Sequence, residues 1–387
     1  MITMKIAFIH NDKKIGTGAH YINDLMSLKV EESGAEIKNF YPRTSLIETP
    51  VPLSGIKNIL FFYSLLEKRN EILKFDLIQG TTYTPLPFLA YPIPVVCHFG
   101  STTRGFIEST PMANNIEDGC RQVWYGLKKT GVIHELNLKT RKPLRDIADI
   151  EEYVASKANA VIATSENVKQ ELIKSGVASK NIHIIHNAIE DYWFEAKKFE
   201  ITKNPHIVFL GRLGGDAFTL KLKGFDRIAH LFQSLPKVPK TTLCMTLNKP
   251  VLHFLREKIE NHTVIENVKK DEIPNFLAPL RGSILFISSR YEGFSLSLIE
   301  GMSQGLIPVT YSVGVVPEII VNGKNGFIVS SQKEAIAKIN LILSDTKLRE
   351  SMSREAAKTS RQFSSDIIAK KLIKLYAQVI QSYKLDS

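Results

Sequence analysis

Short apolar runs rich in isoleucine, valine and phenylalanine recur along the chain, at Lys5–His10, Leu77–Gln79, Val95–His98, Val161–Thr164 and Ile182–Ile185, with helical patterns between them. A run that is apolar at nearly every position suits a strand covered on both faces. Alternation of such runs with helices predicts an α/β fold built on a parallel sheet. A polar, lysine-rich stretch from Glu195 to Pro205 breaks the series, and a second set of strands follows at Ile207–Leu210, Leu243–Thr246, Ile284–Ile287 and Ile307–Thr310. The pattern predicts two domains, 1–195 and 196–365. From Phe363 to Tyr383, Ile367, Ile368, Leu372, Ile373, Tyr376 and Val379 recur at helical spacing and predict a closing helix over 366–387.

Length agrees: 387 residues exceed one ordinary core and fit two α/β lobes, which imply a cleft. The hydrophobic content of 44% and charged content of 23% are those of a folded globular protein and exclude a disordered or repetitive chain. The run Met1–His10 is too short for a secretion signal, and the stretch from Phe88 to Phe99 is interrupted by Pro92 and Pro94, so a membrane span is not expected either. Cys97, Cys120 and Cys244 are odd in number and widely spaced. They predict neither a disulfide framework nor a zinc site, and a cytoplasmic setting. A net charge of +11 favours phosphate-rich partners without choosing among nucleic acid, anionic lipid and nucleotide. Between Lys128 and Arg145 six cations stand against Glu135 alone, a solvated surface or, on the sharper reading, a contact for a charged acceptor or membrane face.

The chemistry concentrates in Arg290-Tyr291-Glu292-Gly293-Phe294-Ser295-Leu296-Ser297-Leu298-Ile299-Glu300, which follows the strand Ile284–Ile287 and opens a helix. Glycine at the turn admits a ligand to the backbone, and the amides of Gly293, Phe294 and Ser295 together with the helix dipole favour an anion. Glu292 before the helix and Glu300 two turns along it are too far apart to share a proton or a metal, and suit opposite ends of an extended ligand bearing sugar and ribose hydroxyls. The bland alternative makes Glu292 a helix cap and Glu300 surface.

Beyond this element, Gly305–Thr310, Gly314–Ile320 and Asn322–Phe327 give strand, turn and loop in quick succession. The run Glu292–Val329 resembles the carboxy-terminal signature of the family 4 retaining glycosyltransferases, including their E-x7-E element. The resemblance implies the GT-B fold: two Rossmann-like domains facing a central cleft, the first binding acceptor and the second the nucleotide sugar, with the C-terminal helix closing back on the N-terminal domain. Phe209-Leu210-Gly211-Arg212-Leu213 and Lys223-Gly224-Phe225-Asp226 look like the family's Arg and Lys-Gly pair, whose cations bind the donor diphosphate. Physically, breaking a sugar–phosphate bond leaves charge on a nucleoside diphosphate, which fixed cations and helix-terminal amides stabilise. The loop Gly214–Lys221 is longer than the family pattern, which leaves Lys221 and Lys223 both open for the second cation.

In the first domain, Gly16 and Gly18 within Ile15–His20 follow strand one as in the family's glycine-rich loop beside donor and acceptor; a full G-x-G-x-x-G is absent, which disfavours a dinucleotide cofactor. His98 ends a strand where similar enzymes keep a histidine near the transferred sugar. Thr164-Ser165 and Asn187-Ala188-Ile189 resemble the family's first-domain Ser and its Asn-Gly-Val turn, with Ala188 in place of glycine and Asn187 structural. No Asp-x-Asp and no H-E-x-x-H is present, so metal-independent transfer is expected, without a cofactor.

The resemblance implies Glu292, His98, Arg212 and Lys223 as catalytic residues. Donor binding falls to Gly16, Gly18, Arg212, Lys223, Gly293, Phe294, Ser295 and Glu300. The implied partners are a nucleotide-sugar donor and a glycan, lipid-linked or protein acceptor, with peripheral membrane contact through the basic surface and no nucleic acid. Two rivals stay open: a nucleotide-sugar epimerase of similar fold, which needs no acceptor, and a catalytically silent sugar-nucleotide-binding subunit.

Overall fold

The computed structural model describes residues 4–12, 18–46, 54–110, 116–129, 141–195, 200–214, 217–247 and 249–386. They fall into two compact units. One gathers Met1–Ile107, Leu138–Glu190 and Phe363–Ser387; the other gathers Glu108–Asn137 and Asp191–Gln362.

The first unit is built on strands β1 (Lys5–Ile9), β2 (Glu36–Phe40), β3 (Leu77–Thr81), β4 (Val95–Phe99), β5 (Ala160–Ala163) and β6 (Ile182–Ile184). They are parallel, in the order β2-β1-β3-β4-β5-β6. β3 and β5 are buried at every position, as strands covered by helices on both faces must be. β2, Glu-Ile-Lys-Asn-Phe, lies at the sheet edge and is mostly exposed, which is why its polar sequence carries no strand signal. On one face Val95, Cys97, Phe99, Val161 and Ala163 pack with Phe61, Leu65, Ile147 and Val154. The C-terminal helix Ser365–Asp386 belongs to this unit and packs on helix Gly18–Glu32. Its buried face is Ile368, Ala369, Leu372, Leu375, Tyr376 and Ile380, whereas Ile367 is exposed. The stripe is thus turned slightly from the one the periodicity suggests. Tyr376 meets Phe8 edge-on and donates its hydroxyl to Gln79 Oε1 at 3.1 Å.

The second unit holds β7 (Ile207–Leu213), β8 (Lys240–Leu247), β9 (His262–Glu266), β10 (Ile284–Ile287), β11 (Ile307–Tyr311) and β12 (Phe327–Val329), parallel in the order β12-β11-β10-β7-β8-β9. Here β9 is the half-exposed edge strand that the sequence pattern passes over. The core runs through Phe209, Phe225, Phe232, Phe286 and Val309. Helix Asp118–Lys129, on the amino-terminal side of the lysine-rich stretch, adds Cys120, Val123, Trp124 and Leu127 to this core and packs on helix Phe225–Ser234.

Each sheet has a point where consecutive strands run outward in opposite directions, between β1 and β3 in the first and between β7 and β10 in the second. Crossover helices diverge there and leave a crevice at the carboxyl ends of the strands, where open α/β sheets bind ligands. The three cysteines are free and buried, and burial pushes the thiols of Cys120 and Cys244 up to about 12, so they stay protonated and inert at neutral pH. Among the described residues no helix is long and apolar enough to cross a membrane.

Candidate active site

The carboxyl ends of β7 and β10 carry the motif residues of the second unit. Arg212 is the penultimate residue of β7, where the ladder with β8 shifts register between Gly211 and Leu213. Across the switch point, the chain leaving β10 runs through Ser288, Ser289 and Arg290 to Glu292.

The turn that carries Lys223 is clamped to this segment. Arg290 forms a bidentate pair with fully buried Asp226, at 2.7 and 2.6 Å, and its guanidinium also donates to the Lys221 carbonyl at 2.9 Å. The Arg290 amide donates to the Leu222 carbonyl, and the Ser288 hydroxyl to the Lys223 carbonyl at 2.7 Å. Arg227 stacks over the Tyr311 ring at 3.7 Å and donates to the Ser288 carbonyl. At Gly224, φ is +64°, and a Cβ would lie 2.1 Å from the Ser288 carbonyl oxygen, so the approach admits only glycine. Fork-shaped guanidinium pairs of this kind fix geometry as well as energy.

The clamp places Lys223 Nζ 2.7 Å from Glu292 Oε1, which also accepts the Ser289 hydroxyl at 2.7 Å. Both side chains of the pair remain partly open to solvent. Lys221, by contrast, is 2% exposed and lies over the Trp124 ring. Of the two lysines left open by the long loop, Lys223 is the one facing the motif carboxylate.

After Glu292 the backbone turns tightly. Gly314 presses on it, and a Cβ there would come within 2.7 Å of the Phe294 carbonyl oxygen. Ser295 adopts φ +87°, a strained conformation for a residue with a side chain, and its buried hydroxyl has no hydrogen-bond partner among the described residues. Helix Leu296–Ser303 starts at once. Its amino-terminal end, the positive end of the helix dipole, thus begins at the residue that carries the unsatisfied hydroxyl. Glu300 lies on that helix, 6% exposed, and pairs with Lys270 at 3.5 Å. Glu292 and Glu300 thus face different cations.

The first unit holds the remaining candidates. His98, at the end of β4, shares a hydrogen bond of 3.1 Å with Asn187, between its Nε2 and the Asn187 Oδ1. Burial drives its pKa down to about 4 against the raising effect of that bond, so the ring is neutral at neutral pH. Beside it, Gln79, His98, Asn187 and Tyr376 line a small cavity of about 10 Å³, near the minimum that holds one water. Ser165 caps helix Glu166–Lys174 by accepting from the Val168 amide, and Thr164 donates to the Phe99 carbonyl. Gly18 is the first residue of its helix. Gly16 and most of the Lys128–Arg145 segment lie outside the described residues.

Sequence reading missed four contributors: Ser289 on Glu292, the Arg290–Asp226 fork, Lys270 on Glu300, and Asn187 on His98. The last three join residues far apart in the chain, where no local spacing announces a contact, whereas Ser289 stands only three residues before Glu292. Arg290 and Asp226 do stand inside two of the quoted motifs, and Asn187 inside a third, where it reads as structural.

Residues 191–359 match the family described as glycosyl transferases group 1, and residues 31–191 the glycosyltransferase family 4. Among curated relatives, an uncharacterized 41.2 kDa protein in the cps region of Klebsiella pneumoniae is 25% identical over 60% of this chain and 64% of its own. The N,N'-diacetylbacillosaminyl-diphospho-undecaprenol alpha-1,3-N-acetylgalactosaminyltransferase of Campylobacter jejuni is 28% identical over 35% and 33%. The capsular polysaccharide biosynthesis glycosyltransferase CapM of Staphylococcus aureus is 23% identical over 57% and 61%. The matched stretches thus span less than two-thirds of these relatives' lengths. Among solved structures, sucrose-phosphate synthase from Thermosynechococcus elongatus superposes with a TM-score of 0.71 at 13% identity, covering 98% of this chain and 100% of that one. HepE of Anabaena in complex with UDP-glucose gives a TM-score of 0.65 at 16% identity, covering 97% and 100%. At such identities these likenesses speak for the fold. With the two family matches meeting at residue 191, and with a six-stranded parallel sheet in each of the two units, the chain belongs to the family 4 glycosyltransferases, of GT-B fold.

Proposed function

We propose that this protein is a retaining, metal-independent glycosyltransferase that moves a hexosyl group from a nucleoside-diphosphate sugar to a hydroxyl of a glycan or lipid-linked acceptor. It would serve cell-surface polysaccharide synthesis from the cytoplasmic side. The observation that carries this reading is the Lys223–Glu292 pair at the switch point of the second sheet, on a turn that the Arg290–Asp226 fork holds still. Structures of HepE with UDP and with UDP-glucose support a nucleotide-sugar donor, and the names of the Campylobacter and Staphylococcus relatives support the acceptor class.

In this reading Glu292 holds the place of the donor in the resting chain. An arriving diphosphate takes Lys223 and Arg212, and the Ser295 hydroxyl and the amides at the start of helix Leu296–Ser303 complete its cradle. Glu292, released from Lys223, accepts from hydroxyls of the sugar. Glu300, kept in place by Lys270, accepts from the ribose. The bond from the anomeric carbon to the phosphate oxygen breaks, and a bond to the acceptor oxygen forms on the same face. The acceptor proton passes to the departing phosphate oxygen, and the nucleoside diphosphate leaves. Fixed cations favour this because charge grows on the diphosphate as the bond breaks. Neutral His98 serves the sugar by hydrogen bonding and carries no proton through the reaction.

The test is the anomeric configuration of the product by NMR, with a matched donor and acceptor and a chelator present. The expected product keeps the donor's configuration and forms at an undiminished rate, while Lys223→Ala and Arg212→Ala each lower kcat by about 10²–10³. An inverted product, or conversion of the sugar with no acceptor present, overturns the reading.

A further inference from the structure

Helix Ser54–Leu66 of the first unit is apolar on both faces. Inward, Phe61 and Leu65 are fully buried, and Phe61 meets Tyr83 edge-on. Outward, Ile56, Ile59, Leu60 and Tyr63 are 57%, 67%, 49% and 56% exposed. Their spacing of i, i+3, i+4 and i+7 sets all four on one stripe roughly 100° wide, the geometry of a helix face meant to be covered. A helix anchored by its inner face and polar on its outer face would be ordinary; here the outer face is apolar too, and contiguous exposed apolar patches mark interaction surfaces.

Charge selects the partner. Helix Ser54–Leu66 contains no carboxylate, and its one ionisable side chain apart from Tyr63 is the exposed Lys57. From Ser54 to Lys74 the cations are Lys57, Lys68, Arg69 and Lys74 against Glu67 and Glu71. Glu67 already pairs with Arg43 and Glu71 with Lys38, so the segment keeps an excess of positive charge, as does the chain at +11. We infer that this helix lays its outer stripe into an anionic lipid surface, Ile56, Ile59 and Leu60 entering the acyl boundary and Tyr63 lying at head-group level, while exposed Lys57 on the same helix meets lipid phosphates. The inference extends the acceptor reading above to the bilayer in which a lipid-linked acceptor resides, and its test involves neither donor nor transfer.

The test is flotation of the full chain with vesicles of phosphatidylcholine alone or mixed with phosphatidylglycerol. Wild type should float with the mixed vesicles, and Ile59→Glu/Leu60→Glu should lower the bound fraction about tenfold or more, given the apolar area withdrawn. Lys57→Glu should weaken binding to mixed vesicles only. Circular dichroism should be unchanged, since every substituted position is exposed, and Ile56→Ser/Tyr63→Ser gives a milder second check. Failure of wild type to float, or equal flotation of the glutamate variant, overturns the assignment. So does light scattering that shows a vesicle-independent dimer lost in that variant, which would make the stripe a contact between copies. Because no sugar is involved, a chain that floats yet transfers nothing refutes only the catalytic reading.

Discussion

At the scale of single residues, the site depends on contacts between segments about 65 residues apart. Gly224 shows the constraint most sharply. Alanine there meets the Ser288 carbonyl at 2.1 Å while forced to a left-handed backbone, so Gly224→Ala should cost about 3 kcal/mol and lower the melting temperature by roughly 10 °C. A melt within 2–3 °C of wild type would show that the turn is not clamped as described. His98 gives a pH dependence of definite sign. Its folded pKa, about 4, lies below the ordinary 6.5, and His262 is buried to a similar value. Between those pH values the unfolded chain binds protons that the folded chain does not, so stability is full above about pH 6.5 and falls as the pH drops toward 4. The denaturation midpoint should therefore decrease from pH 7 to pH 5, and less steeply in His98→Gln; identical slopes would remove His98 as a contributor. Arg212, Lys223, Glu292 and Glu300 could be picked from sequence because each lies in a motif beside a strand end or helix start. The pairings of Lys270 with Glu300 and of Asn187 with His98 could not, because they are chosen by the fold rather than by spacing; Ser289 is local to Glu292 but stands just ahead of the motif.

At the scale of elements, the apolar strands were legible, the edge strand β6 among them, and the polar edge strands β2 and β9 were not. β5 and β10 are wholly apolar and announce themselves, whereas β2 and β9 face solvent on an edge, and their Glu, Lys and His residues mask the strand period. The C-terminal helix was legible from its stripe, although Leu375 and Ile380 replace Ile367 on the buried face. That helix buries Ile368, Ala369, Leu372, Leu375 and Tyr376 in the first unit, on the order of 10 kcal/mol of transfer free energy and comparable with the whole stability of a domain. A chain ending at Gln362 should therefore lose the cooperative melt of the first unit, together with the Tyr376–Gln79 bond. A truncated chain that melts cooperatively at the wild-type temperature would contradict this.

At the scale of the molecule, each unit carries its own parallel sheet with its own switch point, and each holds a different set of candidate residues. The second brings together a cation, a carboxylate, an unsatisfied buried hydroxyl and a helix start, a combination suited to a diphosphate joined to a sugar. The first unit holds a neutral histidine, on β4, hydrogen-bonded to Asn187 beside a small, mainly apolar cavity. The central claim is that Lys223 exchanges Glu292 for a donor diphosphate. The most direct measurement is calorimetric titration of UDP-, GDP-, ADP- and TDP-sugars into wild type, Lys223→Ala and Glu292→Gln. One donor should bind wild type saturably, Lys223→Ala should bind it at least about tenfold more weakly, and Glu292→Gln should still bind its nucleoside diphosphate because the lysine is then free to receive it. Binding unchanged in Lys223→Ala, or no binding of any sugar nucleotide to wild type, would contradict the account.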